Sequence, residues 1–208
     1  DLHSFPTRRS SDLEPAVQAP GNDFIDFKFQ RLVPYQLSRL GGKLSVADVN
    51  SDGNDDVFFE GAHGSQRKLF LGHDDGTLTE ASQEWENIFH EDVGSVFFDA
   101  DKDGNLDLYV VSGGNEFDLG NPLYQDRLYK GDGKGGFVKV ENALPNEGIS
   151  GGCVIAADID HDGDQDLFVG GRIVPTLYPA IPKSTLYRND DTVLVEQVHD
   201  PVQPAEVV

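Results

Sequence analysis

Ser95 to Gly114 reads SVFFDADKDGNLDLYVVSGG, an apolar run, an acidic loop with one glycine, and a second apolar run. Short runs rich in Val, Phe and Tyr, bounded by Asp and Gly, predict two β-strands joined by a tight loop. The same pattern stands at Leu44, as LSVADVNSDGNDDVFFEGA, and at Val154, as VIAADIDHDGDQDLFVGGR. Self-similarity of this kind decides an architecture, because a unit too small to bury its own apolar faces must stack on its neighbours.

Each repeat continues to a Leu-aromatic pair, Leu69-Phe70, Leu128-Tyr129 or Leu186-Tyr187, and the first two pairs lead into the Gly-rich turns HDDGT and GDGKGG. A fourth short strand after each turn makes the unit four-stranded. The first loop Asp recurs at 48, 99 and 158, steps of 51 and 59 residues. From Leu69 to Asp99 and from Leu128 to Asp158 the distance is 30 residues both times, whereas Asp48 to Leu69 is 21 and Asp99 to Leu128 is 29. All the length variation between the first two repeats therefore falls between the second and third strands. A four-stranded repeat of about 50 residues predicts an all-β fold, a fragment of a β-propeller of about three blades, since closed propellers have about four to eight.

The expected organisation is blade one at residues 43–94, blade two at 95–152 and blade three at 153–199. Residues 200–208, DPVQPAEVV, read as a connection toward a further blade, and the natural protein is expected to be longer. Residues 14–42 lie outside the repeat. Within them FIDFKF from Phe24 alternates as a strand does, and is read as the last strand of a preceding blade. Residues 1–13, DLHSFPTRRSSDL, resemble the translation of a sequencing adapter and are set aside.

Aligned, the loops read Asp48-x-Asn50-x-Asp52-Gly53-x-x-Asp56, Asp99-x-Asp101-x-Asp103-Gly104-x-x-Asp107 and Asp158-x-Asp160-x-Asp162-Gly163-x-x-Asp166. A single Asp-Gly is an ordinary hairpin turn. Here 11 of the 12 acidic or amide positions are Asp and one is Asn, which a turn alone does not require. Calcium is a hard cation that takes six to eight oxygens at about 2.3–2.6 Å, and alternate residues of a tight loop aim their carboxylates at one centre. Gly at the sixth position permits the sharp turn, and the seventh residue, Asn54, Asn105 or Asp164, is expected to add a backbone carbonyl. The expected cofactor is Ca2+, about three ions. Magnesium fits less well because it keeps its waters, and no Cys or His stands at the ligand positions to favour zinc or copper. An EF-hand needs Glu at position twelve and flanking helices, but Phe59, Val110 and Val169 stand there and belong to strands.

The loops, the Leu-aromatic-x-x-x-Asp-Gly signature and the blade length resemble FG-GAP or VCBS repeats, such as those of integrin α-subunit heads. EDVGSVFFDADKDGNLDLYVVSGGNEF and DIDHDGDQDLFVGGRIVP are similar to bacterial proteins related to cartilage acidic protein. The FG-GAP tetrad itself is thinly kept, with Phe59-Glu60-Gly61-Ala62-His63 as its remnant. The resemblance implies a secreted or surface propeller with calcium in the loop joining the first two strands. It implies extracellular, cell-surface or periplasmic localisation, and a protein or glycan ligand for adhesion or binding. The alternative is the propeller part of a secreted polysaccharide-degrading enzyme.

Composition sets limits on the partner. With 37 acidic against 16 basic residues the net charge is -21, which excludes nucleic acid as a partner and favours cations. No apolar run reaches the roughly 20 residues of a membrane-spanning helix, so no direct membrane insertion is expected. Cys153 is the only cysteine, so no disulfide forms within the chain. The histidines are scattered, and Ser112, Ser150 and Cys153 lack a nucleophile motif, so no catalytic residue is expected. In an up-and-down blade the loop after the second strand emerges opposite the metal loops. The long segments there, residues 113–126 and 171–184, hold Asn115, Phe117, Tyr124, Arg172 and Tyr178, the expected ligand-binding residues.

Overall fold

The computed structural model describes residues 24–39, 42–85, 88–145, 148–189 and 195–198. Among the described residues, twelve strands form three antiparallel sheets of four, each in simple up-and-down order. The first sheet holds β1 (Leu44–Ala47), β2 (Asp56–Phe59), β3 (Lys68–Gly72) and β4 (Leu78–Glu80). The second holds β5 (Asp92–Phe98), β6 (Asp107–Ser112), β7 (Arg127–Gly131) and β8 (Phe137–Lys139), and the third β9 (Ser150–Ala157), β10 (Asp166–Ile173), β11 (Thr185–Asn189) and β12 (Val195–Val198). The first hairpin of every sheet has one register. Ala47 faces Asp56, Phe98 faces Asp107 and Ala157 faces Asp166, so each acidic loop is closed by the same pair of strand positions.

Side-chain alternation along a strand fixes which face meets which neighbour. In the central sheet, Leu108, Val110, Tyr129, Phe137 and Phe97 pack against Phe58 and Leu69 of the first sheet, joined by Trp85. The opposite face presents Phe98, Tyr109, Val111 and Leu128 to Leu167, Val169 and Tyr187 of the third sheet. All six residues of β6 are therefore buried. Each large apolar side chain so buried contributes about 1.5–3 kcal/mol, so these two layers hold the stack together. The first strands lie side by side. Ser45 Oγ donates to Ser95 O at 2.9 Å, and Lys43 Nζ reaches past β5 to Gly152 O at 2.9 Å.

The expectation of a strand at Phe24 is corrected. Asp26–Phe29 is a single helical turn, α1, followed by a 3-10 turn at Leu37–Arg39. Hydrogen bonds around the buried Asp26 hold this turn in place of a strand pairing. Its carboxylate accepts from Ser38 N at 3.3 Å, Ser38 Oγ at 2.7 Å and Asn115 Nδ2 at 2.9 Å. Gln30 Nε2 donates to Asn115 Oδ1 at 2.7 Å, Gln30 Oε1 accepts from Tyr178 N at 3.0 Å, and Val33 and Leu37 pack on Ile173. Residues 24–39 thus form a strap across the β6–β7 and β10–β11 connections.

Candidate metal centre

Three loops, 48–56, 99–107 and 158–166, share one backbone course. Glycine six has positive φ in each, 89° at Gly53, 85° at Gly104 and 94° at Gly163. Position four also enters the left-handed region, with φ of 57° at Ser51, 57° at Lys102 and 64° at His161. Side-chain residues there pay strain that only the rest of the loop can offset. Position five folds back as a small turn. Its Oδ1 accepts from the amide two residues on, at 2.8 Å for Asp52 and Asn54, 2.8 Å for Asp103 and Asn105, and 3.0 Å for Asp162 and Asp164. These backbone bonds hold the Asp52 and Asp103 carboxyls below the usual carboxylate range.

Position nine, the first residue of the second strand, is buried in every loop and spans two amides. Asp56 accepts from Val49 N and Gly72 N, both at 2.8 Å, and Asp107 from Ala100 N and Gly131 N, both at 2.9 Å. Asp166 does the same with Ile159 N and Asn189 N, both at 3.0 Å. One carboxylate therefore ties the start of the loop to the end of the third strand. Burial pushes the Asp107 carboxyl up against the opposing pull of its amide donors.

The loops differ where a cation would sit. Carboxylate oxygens of Asp99, Asp101 and Asp107 lie within 4.8 Å of one another, as do those of Asp158, Asp160 and Asp166. In each set the first Asp accepts at Oδ2 from the glycine amide, Asp99 from Gly104 N at 3.0 Å and Asp158 from Gly163 N at 3.2 Å. Oδ1 of both is shielded from solvent and has no hydrogen-bond donor among the described residues. A buried carboxylate oxygen left without a partner is costly, and an all-oxygen cluster around it suits a hard cation, so these residues fit calcium. In the first loop Asn50 replaces the third-position Asp, and both oxygens of Asp48 are taken by amides, from Asp52 at 3.1 Å and Gly53 at 2.9 Å. The side chain of Asn54 bonds Asp52 and Asp74 at 3.1 Å each, and Asp164 pairs with Lys102 of the preceding loop. Asn105 is half-buried, and Asp55, at the eighth position, is exposed.

Two basic side chains project from the third strands onto these carboxylates. Lys130 contacts Asp101 and lies 3.1 Å from Asp103, and Arg188 Nε lies 3.0 Å from Asp160 Oδ2. Sequence reasoning missed them, because the fourth residue of such a strand reads as an ordinary exposed position. It also missed Asp92, which is fully buried and binds Arg67 Nε at 2.9 Å and Arg127 Nη2 at 2.7 Å, linking the first two sheets. Burial alone would push its carboxyl up, but the two guanidinium groups hold it below the usual range. Its repeat counterparts are Gly41 and Gly151, so the periodicity gave no signal.

The expected ligand-binding residues are divided by their burial. Asn115, at 3% exposed, and Tyr124, at 1%, are committed inward, the tyrosine hydroxyl bonding Phe117 O at 2.9 Å and Phe117 N at 3.0 Å. Phe117 is half-buried between Tyr124 and His63, Arg172 is half-buried, and Tyr178 is exposed. Ser112 is fully buried, and its hydroxyl donates to Gln125 O at 2.7 Å.

The family model for the FG-GAP-like repeat matches residues 48–110 and 113–169, more than half of the chain. The chain belongs to this family. No curated protein matches it. Among the described residues, no helix is long and apolar enough to cross a membrane.

Proposed function

We propose that this chain is part of a calcium-binding β-propeller that acts outside the cytoplasm as a binding module for a protein or glycan. The buried, donorless Oδ1 of Asp99 and Asp158, each inside a carboxylate cluster, is the observation that carries the metal. Ions would be held by positions one, three, five and nine of each loop, with a carbonyl from position seven. Bound metal offsets the repulsion of three acidic groups in the first loop and four in the others, and fixes the hairpin that starts each blade.

The outer faces support a propeller. Against the central sheet, Leu44, Val46, Val57, Phe59 and Phe70 occupy the repeat positions of Ser95, Phe97, Leu108, Val110 and Tyr129, which face the preceding sheet. Ile155, Ala157, Phe168 and Leu186 likewise stand where Val96, Phe98, Tyr109 and Leu128 face the following one. Both ends of the stack therefore carry the surface by which one blade meets the next. The partner surface is the end opposite the metal loops, built from Tyr178, the half-buried Phe117 and Arg172, and the strap.

Calorimetric titration of calcium tests the reading. Extracellular modules of this type bind at about 10⁻⁴–10⁻³ M. Asp103→Ala and Asp162→Ala are expected each to remove one ion, whereas Asp55→Ala removes none. Equal loss from all three variants, or no binding by the parent, overturns it.

A further inference from the structure

We propose that Lys130 and Arg188 are tethered counter-cations that occupy the second and third loops without metal and compete with calcium for the same oxygens. This inference rests on the calcium reading above. Lys130 stands third in Leu128-Tyr129-Lys130 of β7, and Arg188 third in Leu186-Tyr187-Arg188 of β11. Both therefore leave their strands at the same place relative to the loop. The Lys130 ammonium touches Asp101 and lies 3.1 Å from Asp103, the third and fifth loop positions, while Arg188 Nε lies 3.0 Å from Asp160, a third position. In the first repeat the same place is Leu71, which packs into the apolar layer between the first two sheets.

A divalent ion needs those same oxygens and repels a like charge beside them. Lys130 takes Oδ2 of both Asp101 and Asp103, and Asp103 Oδ1 already accepts from Asn105 N, so calcium that enters the loop displaces the lysine. It can do so cheaply. Its side chain is 45% exposed and sits on a flexible four-carbon stem, so the charge passes into water rather than into the core. Without metal, the same ammonium offsets the repulsion among Asp99, Asp101, Asp103 and Asp107, which would otherwise spread the loop. Each basic residue thus steadies the empty loop and weakens the filled one. The first loop, with Asn in place of one Asp and no such residue, achieves a lower charge by other means.

Removing the charge while keeping the stem separates this role from packing. In the full 208-residue chain, Lys130→Met is expected to lower the dissociation constant of one calcium ion about tenfold. It is also expected to lower the melting temperature in chelator. Arg188→Met, whose side chain is 46% exposed, should do the same for a different ion. If the parent and both variants bind their ions with equal affinity, the counter-cation role is overturned and the calcium reading stands. If the parent binds no calcium, both fall together.

Discussion

Position nine of each loop joins two tasks that the spacing alone presents as one. Asp107 belongs to the acidic cluster, yet its two oxygens also hold Ala100 N and Gly131 N at 2.9 Å. Position five has no such tie, since among the described residues the exposed Asp103 bonds only within its own loop and to Lys130. In chelator, Asp107→Ala is therefore expected to cost about 2–4 kcal/mol, because it strands two buried amides. Asp103→Ala should stay within about 0.5 kcal/mol of the parent there. Urea unfolding of both variants checks this; equal losses would refute the clamp. The acidic pattern itself was legible because cation chemistry demands particular residue types at particular positions. The left-handed backbone at Ser51, Lys102 and His161 was not, because these three side chains share nothing that favours it. The turn imposes the conformation on whatever stands there.

The first strand of the central sheet begins at Asp92, and His90 and Glu91 lead into it, three titratable groups buried together. Burial first, and then Arg127 and Arg67, lower the His90 pKa to about 4 against the weaker opposing pull of the Leu123 carbonyl and Asp92. Burial, with Glu116 and Asp92 nearby, raises Glu91 to about 7, although the His63 amide opposes it. The two act on stability in opposite directions. The unfolded chain protonates His90 near pH 6.5 while the folded one does not, so this residue removes stability as pH falls from about 6.5 toward 4. Glu91 stays protonated in the folded state and ionises near pH 4.5 when unfolded, so it removes stability as pH rises from about 4.5 to 7. Between those limits the slopes largely cancel. Glu91→Gln should therefore gain stability relative to the parent as pH rises through that window, read as the difference between their melting temperatures. A difference independent of pH would show that Glu91 ionises normally. The strands themselves were readable as elements, since apolar runs punctuated by Asp-Gly recur with one register. The helical turn at Asp26 was not. Its cause lies in Ser38 and Asn115, the latter 89 residues away, and no local pattern encodes such a partner.

Across the whole stack, apolar surface is covered in the middle and open at both ends. Val46 is 49% exposed on β1 and Ile155 is 61% exposed on β9, although their counterparts in the central sheet, Phe97 and Val96, pack against neighbouring sheets. On the first sheet Phe59 and Phe70 meet edge to face at 5.4 Å on the same side. An open sheet face of this composition seeks another of its kind, because burying apolar area gains about 25 cal/mol per Å². The repeat pattern made the stacking direction legible, since alternation assigns every strand residue to one neighbour or the other. The 208-residue chain is therefore expected to associate through these faces, with an apparent mass that rises with concentration in sedimentation. Val46→Glu with Ile155→Glu should hold it as a monomer. Both positions are already exposed, so the charges oppose stacking without disturbing the two inner layers, and the variant should melt close to the dilute parent. A parent that stays monomeric at high concentration would mean that water tolerates these faces. Further blades would then gain nothing by covering them.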